Sequence, residues 1–369
     1  MIPVNTPHFS GNEKKYLNEC IDTGWISSEG SFVKRFESEF STYIGRKHGI
    51  AVCNGSAALD VALRALNLEK GSEVIVPTFT IISPVQSLVN EGLTPVLVDS
   101  DEQTWNMDVN QIEARISSKT RAIVIVHIYG LPVDMNPILE LAKRYDLKIV
   151  EDAAEMHGQE YNGKKCGSFG DISIFSFYPN KHITTGEGGM ILTDDDALAE
   201  RCQYLKNLCF QPGRRFVHSE IGWNYRMTNM QAALGVAQLE QVETIVSRKR
   251  EIGARYNSNL TGIQKLQLPW RQTDYAENIY WVYGLVAESE ELAQKIQKDL
   301  GNLKIGTRPF FWCMHEQPVF LKMGLFGNEP YPVAEKMARN GFYIPSGLGL
   351  TNDQIDEVSQ RLLESVNNG

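Results

Sequence analysis

The stretch RAIVIVHIYGLPVDMNPILELAKRYDLKIVEDAAE, residues 121–155, decides the fold. It opens on RAIVIVHIY (121–129), apolar almost throughout rather than at alternate positions. That is how a strand covered on both faces reads. PILELAKRY (137–145) follows with its apolar residues on one helical stripe, and LKIVED (147–152) is a second run of the strand type. Strand, helix and strand at this spacing form the repeating unit of a parallel sheet.

Working outward, five more apolar runs have the same character: GIAVC (49–53), EVIVP (73–77), TPVLVD (94–99), ISIFSF (172–177) and GGMILTD (188–194). Helical patterns lie between them, among them SAALDVALRALN (56–67), with Leu59, Ala62, Leu63 and Leu66 on one stripe, and DALAERCQYLKNL (196–208). The expectation is an α/β fold with a mostly parallel seven-stranded sheet sandwiched by helices. One long helical stretch is expected over 228–260. The remainder reads as a smaller α+β domain, with a strand at YWVYGLVA (280–287), a helix at ELAQKIQKDL (291–300) and a capping box, TNDQ (351–354), opening the last helix. The expected division is a large domain with an N-terminal arm over 1–250 and a small domain over 251–369.

Composition narrows the function. The chain has 369 residues, 42% hydrophobic and 22% charged, which excludes disordered and low-complexity classes. The net charge is -9 without a basic block, so no nucleic-acid partner is expected. The first residues carry no secretory pattern, and TFTIISPVQSLV (78–89) is too short and polar to span a bilayer, so neither export nor a membrane is expected. Six scattered cysteines without a CxxC pair read as reduced thiols of a cytoplasmic protein and give no metal framework.

The carboxyl ends of the strands hold the candidate chemistry. Asn54-Gly55-Ser56 follows one strand and opens a helix, where free N–H groups and the helix dipole suit a phosphate; taken alone, the segment reads first as a plain turn capped by Ser56. Asp152 ends a buried strand, a costly place for a carboxylate without a cation, although an N-cap role is as good a reading there. In IFSFYPNKHITTGEGGMI (174–191), Ser176 ends a strand and Lys181 sits in the loop before the next, where a lowered pKa would make the amine a nucleophile. An exposed loop lysine is the default without the other segments. IGWNYRMTN (221–229), with Trp223 and Tyr225 between polar residues, suggests an interface. A phosphate cradle, an acid for a ring nitrogen and a covalent lysine are together what pyridoxal phosphate requires.

With these residues in view, the sequence resembles the sugar-nucleotide aminotransferases of the DegT/DnrJ type, in the aspartate-aminotransferase-like (type I) pyridoxal-phosphate fold. The likeness runs from GWISSEGSFVKRFESEF (24–40) through NGSAAL, IVPTFT, VHIYG, EDAAE, SFYPNKHITTGEGG and NYRMTN to RPFFWCMH (308–315). It implies that Lys181 bonds to the cofactor, that Asp152 faces its ring nitrogen and that Glu155 lies near its phenolic oxygen. Gly55, Ser56, Ala57 and Ser176 would contact the phosphate, and Asn224 would reach it from a second subunit, which implies a homodimer with shared sites. Trp25, Ser27, Ser28, Arg226, Arg308 and His315 would lie near the substrate, with Arg214, Arg215 and His218 offering charge to a diphosphate.

The implied reaction moves an amino group from L-glutamate to C4 of GDP-4-keto-6-deoxy-D-mannose, for O-antigen or another surface polysaccharide. Other UDP- or dTDP-linked 3-keto or 4-keto sugars are alternative substrates. A sugar dehydratase of the same fold, or a cofactor-binding regulator without turnover, are alternative functions. Dehydratase relatives carry His in place of the lysine; here Lys181 stands five residues before Gly186 and His182 one later, so the aminotransferase register holds. The sequence departs from the family at Ile81, where an aromatic ring usually covers the cofactor, and at Pro84 and Gln86.

Overall fold

The computed structural model describes residues 1–211, 213–214 and 216–367. The seven apolar runs form seven strands of one sheet: β1 (His48–Val52), β2 (Glu73–Pro77), β3 (Thr94–Val98), β4 (Thr120–Val126), β5 (Lys148–Asp152), β6 (Ile172–Ser176) and β7 (Gly189–Thr193). Their order is β1-β7-β6-β5-β4-β2-β3. β7 runs antiparallel to both of its neighbours, β1 and β6, and all other pairs are parallel.

Alternate residues of each strand feed two separate cores, which is why the runs are apolar at nearly every position. Ile75, Ile123, Ile125, Ile149, Phe175 and Met190 pack on one face. Val74, Val76, Val124, Val150, Ile174 and Ile191 pack on the other. Helices α1 (Glu13–Thr23), α2 (Ser31–Ile44), α5 (Met135–Tyr145) and α7 (Asn229–Leu239) cover the first face, whereas α3 (Gly55–Ala65), α4 (Ser83–Asn90) and α6 (Asp196–Lys206) cover the second. Pro84 lies in the first turn of α4, where its missing N–H costs no helical bond.

The helical stretch over 228–260 is two helices rather than one. α7 ends at Leu239 and α8 (Val242–Asn259) begins after a break at Glu240–Gln241. Three donors hold the Glu240 carboxylate at this break: Asn12 Nδ2 at 2.7 Å, Tyr16 OH at 2.7 Å and Arg35 Nη2 at 3.1 Å. They tie the end of α7 to α1 and α2. Thr228 and Gln231 form a capping box at its start.

The second sheet has the order β8-β9-β11-β10, from β8 (Leu266–Gln267), β9 (Tyr283–Ala287), β10 (Arg308–Pro309) and β11 (Gly341–Ile344). Helices α9 (Glu290–Asn302), α10 (Pro318–Lys322), α11 (Pro332–Asn340) and α12 (Asn352–Asn367) complete this part, and Thr351 and Gln354 form the capping box at the last. A third core joins Leu285, Ile296, Phe342 and Leu362 to Ile252 and Tyr256 of α8, and also to Ile2. Ile2 bridges Ile305 in the segment after α9, so the first residues dock on the C-terminal part. Phe310, Phe320 and Met337 pack instead with the second core of the large sheet. The three cores therefore interleave along the chain, and α8 runs from the first core into the third. All six cysteines are free. Among the described residues no helix is long and apolar enough to cross a membrane.

Candidate active site

Six strands end on the same side of the sheet, and the segments leaving four of them, with the approach to β7, wall a cavity of ≈ 490 Å³. Gly55 and Ser56 follow β1, Thr80 and Ile81 follow β2, Asp152 and Glu155 end and follow β5, and Ser176 and Lys181 end and follow β6. Trp281, Phe311 and Tyr343 close the cavity from the C-terminal part.

The first wall is the start of α3. Asn54 caps it, its Oδ1 accepting the Ala57 N–H at 2.8 Å. The first amides of a helix have no intrahelical partner and favour an anion. A Cβ on Gly55 would come within 2.9 Å of the Ser176 Cβ, so only glycine lets α3 approach the end of β6 this closely. Ser56 Oγ is exposed and lies 2.8 Å from Ser83 Oγ.

The second wall is the end of β5. Asp152 is 2% exposed, and its Oδ1 accepts the Ala154 N–H at 3.1 Å. Burial pushes this carboxyl up to about 6, against the Ala154 N–H and the Lys181 charge. The backbone here is pinned by a buried pair. His127 Nε2 lies 3.0 Å from Glu151 Oε1, whose carboxylate also accepts the Gly167 and Phe169 N–H groups, while His127 Nδ1 accepts the Val133 N–H. With its Nδ1 accepting, the neutral ring donates from Nε2. Glu155 is buried as well; its Oε2 accepts the Tyr129 N–H at 2.7 Å, and burial pushes its carboxyl up to about 7.

The third wall is the loop between β6 and β7. Phe175 and Phe177 point into a cluster with Phe36 and Phe40 of α2, with centroid separations of 4.9–5.7 Å, which leaves Ser176 on the opposite, cavity side. The loop is tied internally. Thr184 Oγ1 donates to the Phe177 carbonyl at 2.8 Å and accepts the Gly186 N–H at 3.0 Å, and Gly186 takes the left-handed φ of 82°. Lys181 is thereby held with its amine 3.6 Å from Glu155 Oε1. Burial pulls its pKa below that of an ordinary lysine, while Glu155 and Asp152 oppose the fall.

The wall fits pyridoxal phosphate. Asp152 is a buried carboxylate beside a cavity, a group that calls for a cation. Thr80 Oγ1 and Asn180 Oδ1 are buried without a partner in the cavity lining. The α3 start offers an anion site, and Lys181 offers the amine.

Of the residues singled out in the sequence, Gly55, Ser56, Ile81, Asp152, Glu155, Ser176 and Lys181 share this cavity. Ala57 lies one position behind, buried, its N–H used by Asn54. Arg308 is on an adjoining groove of ≈ 320 Å³ that shares Tyr178, Asn180, Trp281 and Tyr343 with the cavity. The others stand apart. Asn224 is exposed and bridges Asn207, and Arg226 donates to Asn207 Oδ1 at 2.7 Å. Trp25 and Ser27 are exposed, with Ser28 half-buried, on the turn that receives Asn229. His218 is exposed, with Nδ1 2.7 Å from the Leu208 carbonyl. Arg214 is exposed too, and Arg215 lies outside the described residues. His315 is buried, its Nδ1 2.8 Å from Thr78 Oγ1 and its Nε2 3.4 Å from Glu335. Sequence reasoning did not single out Thr80, Asn180, Trp281, Phe311 or Tyr343; Thr80 lies in the PTFT segment, and Trp281 was hidden in an apparent strand.

The chain matches the DegT/DnrJ/EryC1/StrS aminotransferase family over residues 7–363, and it belongs to that family. It is a pyridoxal-phosphate-dependent aminotransferase. The GDP-perosamine synthase of Escherichia coli O157:H7 is 41% identical over 363 residues, 98% of each chain. A putative pyridoxal phosphate-dependent aminotransferase of Bacillus subtilis, EpsN, is 33% identical over 98% of this chain and 95% of its own. Among solved structures, S. venezuelae DesV in complex with a ketimine intermediate superposes with a TM-score of 0.90 at 31% identity, over 96% of this chain and 94% of that one.

Proposed function

We propose that the enzyme transfers an amino group from L-glutamate to C4 of GDP-4-keto-6-deoxy-D-mannose, giving GDP-perosamine, as a cytoplasmic homodimer. The observation that carries this reading is the 41% identity to a GDP-perosamine synthase across nearly the whole of both chains. The UDP-sugar relative named as a 3-aminotransferase is more distant, at 32% over 91% of this chain.

Pyridoxal phosphate, when bound, supplies an aldehyde that bonds to amines and a ring that takes up electrons. The residues here do the rest. Asp152 holds a proton at the ring nitrogen, because a buried carboxylate is most stable facing a cation. Gly55, Ser56 and Ser176 seat the phosphate, with Ala57 behind them. Glu155 restrains the Lys181 amine at 3.6 Å and keeps its proton affinity up. Lys181 carries the proton, as base when uncharged and as acid when charged. Ile81 covers the cavity with an aliphatic side chain, 45% exposed, and Arg308 faces the sugar nucleotide from the adjoining groove. Asn224 acts across the dimer, completing the other copy's site, and its exposed position leaves it free to do so; Trp25, Ser27, Ser28, Arg226, Arg215 and His218 contribute to binding the sugar nucleotide. His315 steadies the RPFFWCMH segment from within.

The test is a screen of 4-keto and 3-keto sugar nucleotides with glutamate, read by mass spectrometry. Amination of the GDP-linked 4-keto sugar is expected. Turnover of a 3-keto sugar alone, or of no GDP sugar, overturns the substrate assignment.

A further inference from the structure

Lys181 touches one side chain that no motif announces. Its Nζ lies 3.9 Å from the centroid of the Trp281 ring. The same indole donates its Nε1–H to the carbonyl of Asn180, the residue before the lysine, at 2.8 Å. Trp281 is 4% exposed, and its pose is fixed from several sides. Its carbonyl accepts Lys249 Nζ of α8 at 3.0 Å, and the preceding Tyr280 takes a φ of 48° with its N–H on Asn278 Oδ1. Phe311 stacks against the ring at 6.5 Å.

We propose that Trp281 is the positioning residue of Lys181: its indole face seats the ammonium, and its N–H fixes the peptide that carries the lysine. This rests on the reading of Lys181 as the lysine that holds the cofactor. An ammonium removed from water gains most from an aromatic face, and 3.9 Å is well inside the range of that attraction. The other groups around the amine are accounted for. Glu155 and Asp152 face it from the end of β5 and the turn after it, with His127 behind Asp152. His157 and the adjacent His182 are both held neutral by burial, and Lys249 stands beyond His182. Trp281 therefore adds support for the charged amine that carries no counter-charge and leaves Glu155 free to bond Tyr129.

The experiment follows cofactor capture by the whole apoenzyme. The uncharged Lys181 amine condenses with the pyridoxal phosphate aldehyde and releases one water, so the capture rate rises with pH through the amine's titration. Trp281→Met, which keeps bulk without a π-face, should lower the midpoint by about half to one and a half pH units. Trp281→Phe, which keeps a face and loses the N–H, should lower it less than half as far. It should also speed hydrogen exchange across residues 178–184. Equal shifts in the two variants, no shift in Trp281→Met, or unchanged exchange in Trp281→Phe overturns the proposal; circular dichroism checks folding, and Trp281→Leu replaces a Met variant that does not fold. Borohydride trapping with peptide mapping separates the two readings. An adduct on another lysine removes the assignment of Lys181, whereas an adduct on Lys181 with an unmoved midpoint removes the role of Trp281 alone.

Discussion

Glu155 Oε1 stands 3.6 Å from Lys181 Nζ while Glu155 Oε2 accepts the Tyr129 N–H at 2.7 Å. One carboxylate thus couples the Lys181 amine to the turn after β4. Glu155→Gln can keep the bond to Tyr129 and loses the charge. An anion this close raises an amine's pKa, so its removal should lower the pH midpoint of cofactor capture by about one to three units. A midpoint within a few tenths of wild type would show that the pair does not set the amine's proton affinity.

Asp152→Asn tests the buried carboxylate. The amide has the same shape and can still accept the Ala154 N–H, so the fold should persist. It cannot hold a charged ring nitrogen by ion pairing, and glutamate-driven turnover should fall at least about 100-fold. Stopped-flow recording of the glutamate half-reaction gives the rate, and wild-type turnover would remove Asp152 from its assigned role.

Lys181→Ala removes the amine and leaves Glu155 able to take up a proton, its carboxyl already pushed up to about 7. The variant should therefore fold, show no borohydride-trapped adduct and lack transamination. Measurable turnover with purified protein would contradict the covalent role.

Lys249 offers a stability test. It is 5% exposed and donates to the Trp281 and Ser346 carbonyls at 3.0 and 2.6 Å, and burial brings its pKa down to about 7. The unfolded lysine titrates near 10.4, so between roughly pH 7 and 10 the unfolded chain binds more protons at this site than the folded one. This group's contribution to stability hence rises with pH across that window, by at most about 1.4 kcal/mol per pH unit. Urea midpoints of Lys249→Met should rise less from pH 7 to 9 than those of wild type. Parallel pH profiles would mean that Lys249 keeps its charge in the folded state.

Much of this site was legible in the chain. A strand covered on both faces must be apolar along its length, so all seven strands of the large sheet stand out, and polar residues at their ends stand out against them. The helix over 228–260 was legible as helix but not as two helices, because the break depends on Asn12, Tyr16 and Arg35 meeting Glu240 from over 200 residues away. YWVYGLVA reads as strand from end to end, yet β9 starts only at Tyr283. Tyr280 turns with a positive φ and sends Trp281 to the active site. Nothing local distinguishes an aromatic residue bound for a core from one bound for a lysine.

The order of residues along the chain therefore determined the sheet and its helical cover, because each strand follows from its burial pattern, and it brought forward Gly55, Ser56, Asp152, Ser176 and Lys181 as the proposed reactive set through their combination at the strand ends. Only the tertiary structure decided what surrounds the amine. The distance from Lys181 to Glu155, the indole over it and the partnerless hydroxyl of Thr80 arise where segments far apart in sequence converge, and that convergence is set by how the cores pack on each other.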